Sequence, residues 1–165
     1  MFRCFEYTAF LWKAKGRHGT HSPFAYWLVD CVARLPDAPN AFNSNGIQSK
    51  KSYRFANKLL RELPQHALKL MDEKNAEKHK DLELVPQIIV INAPLNTSCY
   101  QQIMESRFHP DTIIILPQSV YKRNLQALKL LYEDARFHFT ADCFYFALLS
   151  PRPGQAKQHF YLKLA

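Results

Sequence analysis

The chain has 165 residues, of which 47% are hydrophobic and 13% aromatic, and a formal net charge of +8. That is ample apolar material for one domain spanning 1–165, and no run approaches the ~20 apolar residues that a membrane-spanning helix needs. The aromatic start MFRCFEYTAFLW is broken by Arg3 and Glu6, so it reads as neither a membrane anchor nor a secretory leader, and the expectation is a cytoplasmic protein.

Cys4, Cys31, Cys99 and Cys143 stand singly, which argues against a disulfide framework or a zinc ribbon and for small apolar side chains in a reducing compartment. The charge is unevenly placed. Residues 1–61 hold ten Lys/Arg against three Asp/Glu, whereas 62–165 hold twelve against eleven. A basic N-terminal third can meet nucleic acid, an acidic membrane face or an acidic protein, and it can equally be a solvated face.

In chain order, Phe2, Phe5, Ala9 and Trp12 fall at helical spacing and predict an amphipathic helix over Phe2–Lys15, with the aromatic stripe packed inward or docked on a partner. Gly16 and Gly19 then allow a bend. Ser22 suits an N-cap and Pro23 the first helical position, with Phe24, Leu28, Cys31 and Leu35 on one face. Lys13, Lys15, Arg17, His18 and His21 crowd the approach to that helix and are candidates for holding an anion. Two histidines without a third ligand are a weak metal signal. Pro36–Ser49 reads as a connection, and Lys50–Leu63 as a helix with Phe55, Leu59 and Leu63 inward and Lys50, Lys51, Arg54, Lys58 and Arg61 as further anion or partner candidates.

From Pro64 onward strand and helix alternate. Ala67–Met71 is a short strand; Gln87–Asn92 and Thr112–Leu116 are apolar, β-branched runs expected to be buried on both faces. Thr97–Arg107 and Ser119–Ala135 are the helices that follow them. Cys143–Leu149 and His159–Leu164 are two last strands joined by the PRPG turn, close enough to demand antiparallel pairing. The expected class is therefore α/β: a Rossmann-like, three-layer sheet of about five strands, mostly parallel with an antiparallel end (64–165), preceded by a basic helical part (1–63).

Several stretches together resemble one family, the class I S-adenosylmethionine-dependent, O-methyltransferase-like methyltransferases of Bacteroidota. KAKGRHGTHSPFAY (13–26) resembles the family's opening and GQAKQHFYLKL (154–164) its closing segment. KSYRFANKLLRELPQHALKLM (51–71) is similar to the helix and first strand that lead into its cofactor site, IIVINAPL (88–95) to its fourth strand, and DTIIILPQSVYKR (111–123) to its fifth strand and the loop beyond. The resemblance implies a sheet in the order first, fourth, fifth, then an antiparallel pair, with the first strand left as an edge.

The departures carry the functional expectation. The family's first strand ends in Glu-Leu-Gly, whereas here Leu70 and Met71 run into DEKNAEKHKD, and no glycine occurs between Gly46 and Gly154. Only Asp72–Pro86 joins this strand to the next, where the family has two more strands and the acidic residue that holds the cofactor ribose. Asn92, Ala93, Pro94 and Leu95 stand where the family has Asp-Gly-Asn-His, and Pro117–Tyr121 where it has two Asp followed by Ile-His-Trp. Glycine allows close approach to a cofactor, and carboxylates bind metal or take a proton. Their loss implies a truncated, degenerate member: a pseudoenzyme with no catalytic, cofactor-binding or metal-binding residues and no cofactor.

The leading expectation is a non-catalytic interaction or structural subunit whose protein partner, a second copy or another chain, meets the sheet edge or the aromatic N-terminal helix. Nucleic-acid (RNA) binding through the basic N-terminal part is the first alternative. The second is an S-adenosylmethionine-dependent methyltransferase with an unconventional site drawn from His18, His21, Ser22, Asn92 and Gln118, among which no nucleophile, base and orienter assemble.

Overall fold

The computed structural model describes residues 2–14, 21–34, 50–71, 84–95, 97–122 and 124–164. Three helices come first: α1 (Phe2–Lys13), α2 (Pro23–Arg34) and α3 (Lys50–Glu62). The α2 start obeys its local signals, since the Ala25 N–H donates to Ser22 Oγ at 3.3 Å and Pro23 brings no N–H to satisfy. Phe24, Ala25, Leu28 and Cys31 are buried along one side of α2, and Phe55, Ala56 and Leu59 along one side of α3.

The remaining elements are β1 (Ala67–Met71), β2 (Gln87–Ile91), α4 (Thr97–Glu105), β3 (Ile113–Pro117), the single turn α5 (Gln118–Tyr121), α6 (Leu125–Glu133), β4 (Phe139–Asp142), β5 (Phe146–Ser150) and β6 (Gln158–Tyr161). They form one sheet in the order β1-β2-β3-β5-β4-β6. β1, β2 and β3 are parallel in register Ala67↔Gln87 and Ile88↔Ile113; β5 runs against both β3 and β4; and β6 adds to β4 in parallel.

Side chains alternate between two cores. Ile88, Val90, Ile113, Ile115 and Leu148 meet α2 and α3 on one face, while Ile89, Ile91, Ile114, Leu116 and Leu149 meet Ile103 of α4 and Leu128 and Leu131 of α6 on the other. Both faces are covered, which is why Ile88–Ile91 and Ile113–Pro117 are apolar throughout and, with Gln87, wholly buried. The result is an α/β, three-layer arrangement around a mixed sheet, compatible with a Rossmann-like fold. Cys31 and Cys143 are buried free thiols, and burial with the neighbouring Asp142 carboxylate pushes Cys143 well above the usual thiol range.

Four expectations need correction. The sheet has six strands rather than about five, because Phe139–Asp142 pairs with β5 in a tight hairpin. Its turn takes Cys143–Tyr145 out of the expected strand, with Phe144 at φ 65° and its N–H held by Asp142 Oδ1 at 2.8 Å. The last two strands do run in opposite directions, but they do not pair. Both edges of β5 are already used by β3 and β4, so β6 joins the outer edge of β4 instead. The connection between them turns at Gly154, whose φ of 93° suits glycine. It passes the start of β4, where the His138 N–H donates to Pro151 O and the Gln158 N–H to His138 O.

The third correction concerns the helix expected over Ser119–Ala135. It breaks into α5 and α6 because Asn124 restarts it as an N-cap, accepting from the Ala127 N–H at 3.1 Å. The fourth concerns α1, which buries Phe10 and half-buries Tyr7, while Ala9 is exposed and Trp12 is 93% exposed. The inward choice follows the partner rings: Tyr7 and Phe10 meet Phe144 at 4.7 and 5.4 Å between centroids, and Phe10 meets Tyr161 at 6.4 Å.

Candidate functional site

In open α/β sheets ligands gather outside the carboxyl ends of the strands, at the point where the strand order reverses. Here β1, β2 and β3 follow one another in chain order from the edge inward, so among the described residues that part of the sheet contains no reversal. Among the described residues, the positions at its strand ends are also packed. Met71, Ala93, Leu95 and Val120 are each less than 5% exposed. The Leu95 N–H donates to Val120 O at 2.9 Å, and Asn124 Nδ2 donates to Leu95 O at 3.0 Å, so the segments after β2 and β3 are tied together. Asn92, one of the residues weighed for an unconventional site, is half-buried beside them and gives its N–H to Met71 O.

The same edge opens on the far side of β3. A cleft of about 320 Å³ lies between α1, α5 and the ends of β4 and β6. Phe10, Asp142, Phe144 and Tyr161 form its more buried part, with Gln118 half-buried beside them. Glu6, Lys13, Lys122 and Leu125 stand at its exposed rim. Burial raises the Asp142 carboxyl above its ordinary range, against the opposing hydrogen bond from the Phe144 N–H.

A second cleft of about 320 Å³ shares Lys13 and Tyr161 and is completed by His21, Ser22, Gln158, His159 and Phe160. His159 keeps an exposed edge, but its ring lies against Tyr132 and Tyr161 at 4.4 and 5.1 Å between centroids and its Nδ1 is 2.9 Å from Thr140 Oγ1. The desolvation this packing imposes lowers its pKa, which favours the neutral ring at neutral pH.

The structure thus brings Lys13 and His21 of the anion candidates around one cleft. Lys13 Nζ also sits 5.7 Å from the Tyr161 ring centroid. Lys51 turns to the β4–β5 hairpin, with Nζ 3.2 Å from the Tyr145 ring centroid. Arg54 and Arg61 are exposed on α3 and Lys58 is half-buried; none of the three lines either cleft. Lys15, Arg17 and His18 lie outside the described residues, as does the side chain of Lys50. Among the described residues no group of three His, Cys, Asp or Glu is placed to hold a metal ion, and no helix is long and apolar enough to cross a membrane.

Asp142, Lys122, Glu6 and Tyr161 were not legible as site residues. The available signal was a lone carboxylate closing the strand FTAD, hidden by reading the strand as starting at Cys143. Comparison with known proteins found no matching family model, no matching curated protein and no matching solved structure. Fold and site define an α/β protein with a mixed three-layer sheet whose described residues are packed after β2 and β3 and leave a cleft at the ends of β4 and β6.

Proposed function

We propose that the protein is a degenerate, methyltransferase-like chain that works as a non-catalytic interaction or structural subunit. The supporting observation is the sealed carboxyl edge: Ala93, Leu95 and Val120 fill the place where a cofactor-binding sheet keeps backbone and carboxylates accessible. The parallel run β1-β2-β3 followed by a reversed pair is also in keeping with the order implied by the resemblance.

Two surfaces remain for a partner. One is the outward side of α1 at Trp12; the other is β1, an edge strand in the described sheet, where Leu70 is 38% exposed. Residues 72–83, most of the connection from β1 to β2, lie outside the described residues. Calorimetric titration with S-adenosylmethionine tests the reading together with sedimentation of the purified protein. The expected results are no heat of binding and a species larger than one chain. Micromolar binding of the cofactor overturns the reading.

A second reading, nucleic-acid binding, is favoured by the spacing of Lys51, Arg54, Lys58 and Arg61, which lines them along one side of α3 away from Phe55 and Leu59. Retardation of RNA in a gel at low salt, abolished in an Arg54→Glu/Arg61→Glu variant, supports it; no retardation removes it.

A further inference from the structure

The cleft beside β4 has a chemistry that the interaction reading does not use. At its buried end a carboxylate, Asp142, stands among three aromatic rings. Phe10 and Phe144 lie 5.4 Å apart between centroids, and Phe10 and Tyr161 6.4 Å. One Asp142 oxygen accepts the Phe144 N–H at 2.8 Å, and among the described residues the carboxylate has no ion-pair partner. A half-buried carboxylate without a counter-ion is costly to hold ionised, and burial raises its pKa accordingly.

Aromatic faces beside a carboxylate favour an ammonium group, which the ring quadrupole and the negative charge attract together. The Lys13 ammonium, 5.7 Å from the Tyr161 centroid, already shows one of these rings facing a cation. Nearer solvent the charges change: Lys13 and Lys122 stand at the opening with one carboxylate, Glu6, which leaves the rim net positive, and Gln118 lies between rim and floor as a donor and acceptor. The volume of about 320 Å³ lies at the lower end of the range for small-molecule sites.

We propose that this cleft binds a free α-amino acid, its ammonium group on Asp142 among Phe10, Phe144 and Tyr161 and its carboxylate toward Lys13 and Lys122. The floor alone would suit a simple amine. The two lysines outweigh Glu6 at the opening, and this net positive rim disfavours a purely cationic ligand and selects the zwitterion. The site is a binding site; no bond is made or broken in it.

The test is an NMR titration of the full chain with each of the twenty protein amino acids at millimolar concentration, following the amides of Gln118 and Phe144. At least one is expected to shift both. For that amino acid, the matching decarboxylated amine and the matching deaminated acid are each expected to bind about tenfold more weakly, the loss of one charged contact. Asp142→Asn, whose side-chain oxygen can still accept the Phe144 N–H, should weaken the amino acid to the level of the deaminated acid and leave that acid unaffected. Lys122→Glu, at an exposed position, should weaken the amino acid but not the amine. No shift with any of the twenty, or an affinity unchanged in Asp142→Asn, overturns the proposal. Because the cleft lies apart from the sealed strand ends, either result leaves the S-adenosylmethionine test of the previous reading standing by itself.

Discussion

Two halves of one sheet edge are built from different residues and behave differently. After β2 and β3 the chain places Ala93, Leu95 and Val120, all buried, and ties them with backbone bonds and the Asn124 side chain. After β4 and β6 it places Asp142 and Tyr161 beneath α1, and a cleft remains. The backbone direction is the same in both halves, since β2, β3, β4 and β6 all point their carboxyl ends that way. What differs is side-chain chemistry and topology. Among the described residues the closed half is a one-way progression from the edge strand, whereas the open half contains a reversal, the β4–β5 hairpin inserted beside β3. An edge becomes a site where the chain turns back, and a wall where it runs on.

The closed half should be the more fragile to truncation. Leu95→Ala removes a side chain only 2% exposed and is expected to cost about 3 kcal/mol of stability, the range for a buried leucine, read as a lowered urea midpoint. Asn124→Ala loses both the cap on the Ala127 N–H and the bond to Leu95 O; a loss of about 1–2 kcal/mol by the same assay is expected.

The open half should respond to pH instead. Asp142 has a raised pKa in the fold because burial disfavours its ionised form. A group raised on folding contributes stability that is present below its unfolded pKa and lost as pH rises through the folded value. Asp142→Asn should therefore gain on the parent as pH rises from about 3 to about 7, as paired denaturation series would show. Asp134 has the opposite sign. Burial acts to raise it, but the hydrogen bonds and charge of Arg136 outweigh burial and leave it lowered, so its contribution is lost as pH falls through its folded pKa. Arg136 also donates to Met104 O at 2.6 Å and Ser106 O at 3.1 Å, joining the end of α4 to the turn before β4. Arg136→Ala should flatten the acid limb while leaving the Asp142 trend intact. The smallest effect is expected at Trp12, which is 93% exposed: Trp12→Ala should leave the midpoint where it is and act only on association.

Much of the architecture was legible because its signals were local. QIIVI and IIILP could only be strands covered on both sides, and Ser22-Pro23 could only open a helix. The misreadings were decided by contacts distant in sequence. Helical spacing found that α1 is amphipathic but could not say which residues pack inward, because Phe10 is buried by Phe144 and Tyr161, more than 130 residues away. Asn124 looked like one polar residue in a helix; its second partner, Leu95 O, lies in the segment after β2. Asp142 carried only the weak signal of a lone carboxylate, and its place at a strand end was set when β5 folded back on β4.

The contrast between the two halves is tested most directly by amide chemical shifts during addition of S-adenosylmethionine to the isotope-labelled protein. A sealed wall predicts that Met71, Asn92, Ala93 and Leu95 do not move at any concentration. Saturable shifts at those four residues would mean that the β1–β3 edge still opens to hold a cofactor, and would contradict the account.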